Sequence, residues 1–135
     1  MKNTNKFLVM ILLAATISAC KKGPGSGGTS SINGSVQVIK YNAFYTDTLA
    51  MYPGYDEDVY IIYGDDISYG DHLKSSADGR FEFKYLREGN YKVYVYSDDT
   101  IHADTVPSKI AVLKNIEITQ KDQEIDAGEF EVNKH

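Results

Sequence analysis

The chain has one cysteine, no tryptophan, three prolines and three histidines in 135 residues. A single cysteine excludes an internal disulfide and any zinc site built from several thiolates, so a folded domain here must be held by packing. His72 is followed by Leu-Lys-Ser and His102 by Ala-Asp-Thr, so neither opens an H-E-x-x-H or H-x-x-E spacing, and His135 is the last residue. No G-x-S-x-G occurs, which removes the usual serine-hydrolase signature. No glycine-rich loop leads into a helical pattern, so no nucleotide cradle is implied. Positive charge is also scarce: 14 Lys and Arg against 19 Asp and Glu give −5. Lys2 and Lys6 are the only charges in residues 1–19, so the rest of the chain carries −7. Nucleic acid needs clustered Lys and Arg to meet its phosphates, and is not an expected partner. No catalytic set, metal site or cofactor is expected.

What the sequence does have is one apolar run near its start and an abundance of tyrosine. "MKNTNKFLVMILLAATISAC" joins a basic start, an apolar stretch from Phe7 to Ile17, the small residues Ser18 and Ala19, and the sole cysteine, Cys20. This is the layout of a secretory signal peptide. A permanent membrane span needs roughly 20 apolar residues, and the run is shorter. "ISAC" resembles the bacterial lipobox, with Ile17 where leucine is commonest. The resemblance implies cleavage between Ala19 and Cys20, a diacylglycerol thioether on Cys20, and acylation (palmitate) of the new N-terminus. The expected location is a bacterial cell envelope, with the outer membrane of a Gram-negative cell as the expected bilayer and its face left open. Residues 20–30, "CKKGPGSGGTS", follow as an expected flexible tether, rich in Gly and Ser and without periodicity.

From Ser31 to His135 the apolar residues alternate, and no helical period outlasts a turn. "INGSVQVIKY" puts Ile32, Val36 and Val38 on one face. "DVYIIYG" is apolar on both faces, with Val59, Ile61 and Tyr63 on one and Tyr60 and Ile62 on the other, and reads as a central strand. "GRFEFKYL" turns Phe81, Phe83 and Tyr85 inward. "NYKVYVYS" sets Tyr91, Val93 and Val95 against Lys92, Tyr94 and Tyr96. "NIEITQ" and "EIDAGEFEV" close the chain in the same way. Asp78-Gly79 and Gly89-Asn90 are tight-turn pairs. Short strands at about ten-residue spacing, without helices between them, specify an all-β fold over residues 31–135: an antiparallel sandwich or barrel.

"SADGRFEFKYLREGNYKVYVYS", residues 76–97, resembles the prealbumin-like sandwiches: carboxypeptidase regulatory-like, Cna-B-like and transthyretin-like domains. "INGSVQV" is similar to their first strand, and the closing pair to their last. The resemblance implies a fold, a single antiparallel β-sandwich of about seven strands, prealbumin-like or Ig-like, and not a function, since this module serves as spacer, stalk and binding unit. Cna-B-like members often carry a Lys–Asn isopeptide bond, for which Lys40 and Asn133 are the positional candidates. Val93 and Val95 stand where the assisting acid belongs, so the bond is not expected. A transthyretin-related hydrolase would need a His/Arg/Ser set, and Arg80 and Arg87 alone do not make one.

Three further patterns bear on surface chemistry, the first of them on binding. Tyr52, Tyr55, Tyr60, Tyr63 and Tyr69 are interleaved with acids and glycines, a mixture that stacks on sugars or peptides and bonds their hydroxyls. Acids at 56–58, 65–66, 71, 78 and 98–99 gather near strand ends but lack the D-x-D-x-D-G calcium loop. Asp47-Thr48-Leu49, Asp99-Thr100-Ile101 and Asp104-Thr105-Val106 resemble an O-glycosylation acceptor pattern of some Gram-negative envelopes. The expectation is a non-enzymatic, membrane-anchored envelope lipoprotein that binds or assists an envelope protein or glycan. The alternative is a spacer or subunit of a surface assembly.

Overall fold

The computed structural model describes residues 22–101 and 108–135. The signal segment, Cys20 and the Asp104-Thr105-Val106 pattern lie outside them. Eight strands make two packed sheets, with no helix among the described residues. They are β1 (Ser26–Tyr41), β2 (Thr48–Pro53), β3 (Asp58–Tyr63), β4 (Asp71–Lys74), β5 (Arg80–Leu86), β6 (Gly89–Asp98), β7 (Lys109–Ile118) and β8 (Glu124–Lys134).

The long β1 organises the first sheet. On one side its first half pairs antiparallel with β5 and its second half with β2. Along its other side β8 runs parallel, from Ser31↔Glu124 to Lys40↔Lys134. That parallel pair corrects the expectation of a wholly antiparallel fold: the first sheet is mixed. The second sheet is antiparallel throughout, in the order β4-β3-β6-β7. The Gly89-Asn90 pair does not close a hairpin, because β5 and β6 belong to different sheets and Arg87-Glu88 arches between them.

Alternation drives the two sheets together. Ile32, Val36 and Val38 of β1, Phe81 and Phe83 of β5, and Phe130 and Val132 of β8 meet Val59 and Ile61 of β3 and Tyr91, Val93 and Val95 of β6. All are buried, and each contributes roughly 1.5–3 kcal/mol of transfer free energy. Ring edges lock the centre, with Phe81 against Phe130 at 5.7 Å between centroids. Tyr85 departs from the sequence expectation. Its φ of +59° breaks the alternation at the end of β5, leaving Tyr85 71% exposed and turning Leu86 into the core instead.

The N-terminal boundary also moves. Residues 26–30, expected to be tether, are strand. Their glycines are there for close approach: a Cβ on Gly28 would lie 2.0 Å from the Leu86 carbonyl oxygen. Buried serines then stitch loops to strands. Ser30 Oγ donates to Gln120 O at 3.2 Å and accepts from Gln123 N at 3.0 Å. Ser97 Oγ accepts from Asn133 N at 2.8 Å. At the seam between the sheets, Lys114 of β7 donates to Ala127 O and Glu129 O of β8, each at 2.8 Å, and lies over the Phe130 ring. This covers an edge that would otherwise offer bare carbonyls.

Candidate functional site

Because β3 and β6 bury one face each, their other faces point away from the core. Register places Tyr60 of β3 directly beside Tyr94 of β6, and His72 of β4 beside Tyr60. Tyr96 follows two residues after Tyr94, on the same face. The rings pack accordingly. Tyr60 stacks on Tyr94 at 5.0 Å and 13°, and on His72 at 5.7 Å and 19°. Tyr69, from the loop before β4, meets Tyr60 edge-on at 5.1 Å and His72 at 5.7 Å. Tyr96 meets Tyr60 at 5.7 Å and Tyr94 at 5.5 Å. Five rings thus form one continuous aromatic face across three strands and a loop.

The cluster has a buried base and exposed ends. Tyr94 is 8% exposed, whereas Tyr69 and Tyr96 are 50% and 44% exposed. Burial, helped by the charge and hydrogen bond of Tyr96, pushes the Tyr94 phenol up to about 12. Burial also raises Tyr60, with Asp58 adding to the shift. Both hydroxyls therefore stay protonated at neutral pH. Asp58 and Lys74 border the rings and pair at 3.5 Å, and Lys74 also pairs with Asp56 at 3.3 Å, so the rim there is polar and holds more acid than base. Leu113 of β7, opposite Tyr94, extends the apolar surface.

Of the five tyrosines singled out in the sequence, the structure brings two together here, Tyr60 and Tyr69. Tyr63 turns toward the core and packs edge-on to Tyr91 at 5.9 Å. Tyr52 lies on β2 of the other sheet, and Tyr55 is exposed in the turn before β3. His72, Tyr94 and Tyr96 complete the cluster and were not grouped with it in the sequence. Their signal was available: Tyr94 and Tyr96 share the outward parity of β6, and a central strand must set its outer residues beside those of its neighbours.

The remaining candidates disperse. Asp56 and Asp58 pair with Lys74, and Asp78 caps the turn before β5 through Ser76 and Arg80. Among the described residues no group of three His, Cys, Asp or Glu is placed to hold a metal ion. Lys40 is exposed beside Lys134, whereas Asn133 sits opposite Ile39. Arg80 and Arg87 lie at opposite ends of β5. A polar cleft of about 670 Å³ runs over the first sheet between Asn33, Ser35, Arg80, Glu82, Glu124 and Asp126. At the far end of the sandwich, Tyr45 Oη, His135 Nδ1 and Asp98 Oδ2 bond within 2.7–3.3 Å, which fastens the last residue to β6.

No protein-family model matches the chain, and no curated protein matches it. Among solved structures it is similar to a candidate carbohydrate-binding protein from Pseudomonas aeruginosa, at 12% identity and a TM-score of 0.48, over 82% of this chain and 91% of that one. It is also similar to a 9R-lipoxygenase from Cyanothece, at 15% identity and a TM-score of 0.39, over 93% of this chain and 20% of that one. An (S)-allantoin synthase is similar at 10% identity and a TM-score of 0.40, over 78% of this chain and 42% of that one.

Proposed function

We propose that the chain is a non-enzymatic, lipid-anchored binding module of a Gram-negative cell envelope, a prealbumin-like sandwich that takes a neutral glycan on the face formed by Tyr60, Tyr69, His72, Tyr94 and Tyr96. The observation that carries this reading is the ring cluster itself, set on the open side of a sheet whose other side is core. Sugar rings offer C–H faces that pack on aromatic planes, and hydroxyls that bond phenols and carboxylates. Tyr94 supplies a rigid base, and Tyr69 and Tyr96 supply accessible rings at either end. An excess of acids over bases favours a neutral chain over an anionic one. The lipid on Cys20 holds the module at the outer membrane, each buried methylene contributing about 0.8 kcal/mol. Affinity electrophoresis through gels containing neutral or anionic polysaccharides tests the reading. Retardation in a neutral gel, lost in Tyr96→Ala, is expected; unretarded migration in every gel would sink it.

A second reading, a subunit of a surface assembly, is favoured by β2. All six of its residues are exposed, including Leu49 and Met51, and it carries no charge. An uncharged apolar edge is a template for strand addition. Pro53 and the register shift opposite Tyr41 limit the length of edge on offer. Sedimentation of the solubilised protein as a monomer at high concentration, in the presence and absence of envelope extract, would exclude this reading.

A further inference from the structure

The chain does not leave the fold as a loose leash. Arg87, in the arch between β5 and β6, grips it: Nε donates to Gly23 O at 2.7 Å, Nη1 donates to Ser26 O, and the backbone N–H donates to Gly25 O at 2.9 Å. Gly25 N–H in turn donates to Tyr91 Oη at 2.9 Å, and that hydroxyl donates to Arg87 O at 2.6 Å. Pro24 is wedged against the turn after β3 and the start of β6: a Cβ on Gly64 would meet its Cγ at 2.9 Å, and one on Gly89 would meet its Cβ at 2.8 Å. The β7–β8 turn closes from the third side, where Asp122 N–H donates to Thr29 Oγ1 at 3.1 Å.

We infer that this end of the sandwich, bounded by Lys22, Asp65, the Arg87-Glu88 arch and Lys121, rests against the lipid bilayer and holds the domain upright in one orientation. The inference rests on the proposed anchoring through Cys20. Where the chain leaves the fold fixes the occupant. Between a lipidated Cys20 and the gripped Gly23 stand only Lys21 and Lys22, a reach of at most about 10 Å. Acyl chains in the hydrocarbon layer therefore draw Gly23 to the headgroups, and the grip on Gly23–Ser26 passes that constraint to the whole sandwich. The surface suits the position. A cleft of about 430 Å³ there is lined by Lys22, Arg87, Glu88 and Lys121, and Asp65 and Asp66 lie beside it around Pro24. Headgroup phosphates are the chemistry those cations fit. From this base β6 rises away from the bilayer, and Tyr94 stands five residues above Gly89, roughly 17 Å up at about 3.3 Å per residue. The aromatic face then looks sideways, clear of the lipid.

Full-length lipidated protein in vesicles of phosphatidylethanolamine and phosphatidylglycerol tests this, since a thioether on Cys20 leaves no native thiol to label. Single fluorophores go on Glu88→Cys or Lys121→Cys at the near end, and on Ala50→Cys or Lys109→Cys at the far end. Nitroxide-headgroup lipid should quench the near labels several-fold more than the far ones, and Arg87→Met should narrow the contrast. Equal quenching at both ends of vesicle-bound protein overturns the orientation alone. A contrast untouched by Arg87→Met overturns the role of the grip. Protein that fails to float with the vesicles overturns the anchoring, and the orientation with it.

Discussion

Replacing Tyr91 with phenylalanine isolates the tie between the N-terminal segment and the sandwich. The Tyr91 ring is 1% exposed and keeps its packing in the variant; only the hydroxyl goes. That hydroxyl accepts from Gly25 N at 2.9 Å and donates to Arg87 O at 2.6 Å. Gly25 is itself buried, so its N–H loses its partner where water does not replace it. One lost hydrogen bond costs about 1 kcal/mol, and a buried donor left unpaired costs about 1–3 kcal/mol, so Tyr91→Phe should lose roughly 2–3 kcal/mol. An unfolding entropy of about 2.1 cal/mol/K per residue over roughly 110 residues turns this into a fall in Tm of about 10 °C. Calorimetry reads the fall, and hydrogen exchange locates it. Amides of residues 25–30 should exchange on the order of thirtyfold faster, while those of β3 and β6 keep their ranking. A Tm within about 2 °C of the parent, with unchanged exchange at residues 25–30, would refute the claim that this segment is built into the fold.

Gly28→Ala puts a Cβ 2.0 Å from Leu86 O and 2.5 Å from Arg87 N. Backbone must shift, and a loss of about 3 kcal/mol is expected in urea unfolding; a neutral result would mean that β1 and β5 do not approach as described. Phe130→Ala empties a fully buried site between the sheets and should cost about 3–5 kcal/mol; a cost below about 1 kcal/mol would remove Phe130 from the core. Tyrosine absorbance followed through an alkaline titration should show a late component near pH 12 from Tyr94 that is missing from Tyr94→Phe. Its folded pKa is raised above the unfolded value of about 10, so its share of stability is complete below pH 10 and is lost as pH climbs toward 12. A single titration step near pH 10 in the folded protein contradicts a buried Tyr94.

The strands that bury one face were legible in the sequence, because burial writes itself as alternation. Ile32, Val36 and Val38, and again Tyr91, Val93 and Val95, occupy the core as their parity requires. β2 and β4 bury almost nothing, so "TLAMYP" and "DHLK" carry no such pattern. Tyr85 obeys alternation in the sequence and breaks it in the fold, since one positive φ reverses the parity of all that follows. Glycine and serine in residues 23–30 read as slack because composition alone cannot tell a flexible glycine from one needed for close approach. The parallel course of β8 beside β1 is a matter of topology, and no local signal encodes it. The aromatic site was half visible for a related reason. Tyr60 and Tyr69 share one stretch of chain, whereas Tyr94 and Tyr96 arrive across a strand pair about 34 residues away.

Isothermal titration with the neutral glycan that most retards the protein tests whether the outward aromatic face binds. Tyr96→Ala and Tyr69→Ala each remove a partly exposed ring from the cluster, while Tyr52→Ala and Tyr55→Ala remove exposed rings from elsewhere. A stacked ring contributes on the order of 1.5 kcal/mol, so the first pair should each weaken Kd by about tenfold and the second pair should leave it unchanged. Equal losses in both pairs, or none in the first, would contradict the account.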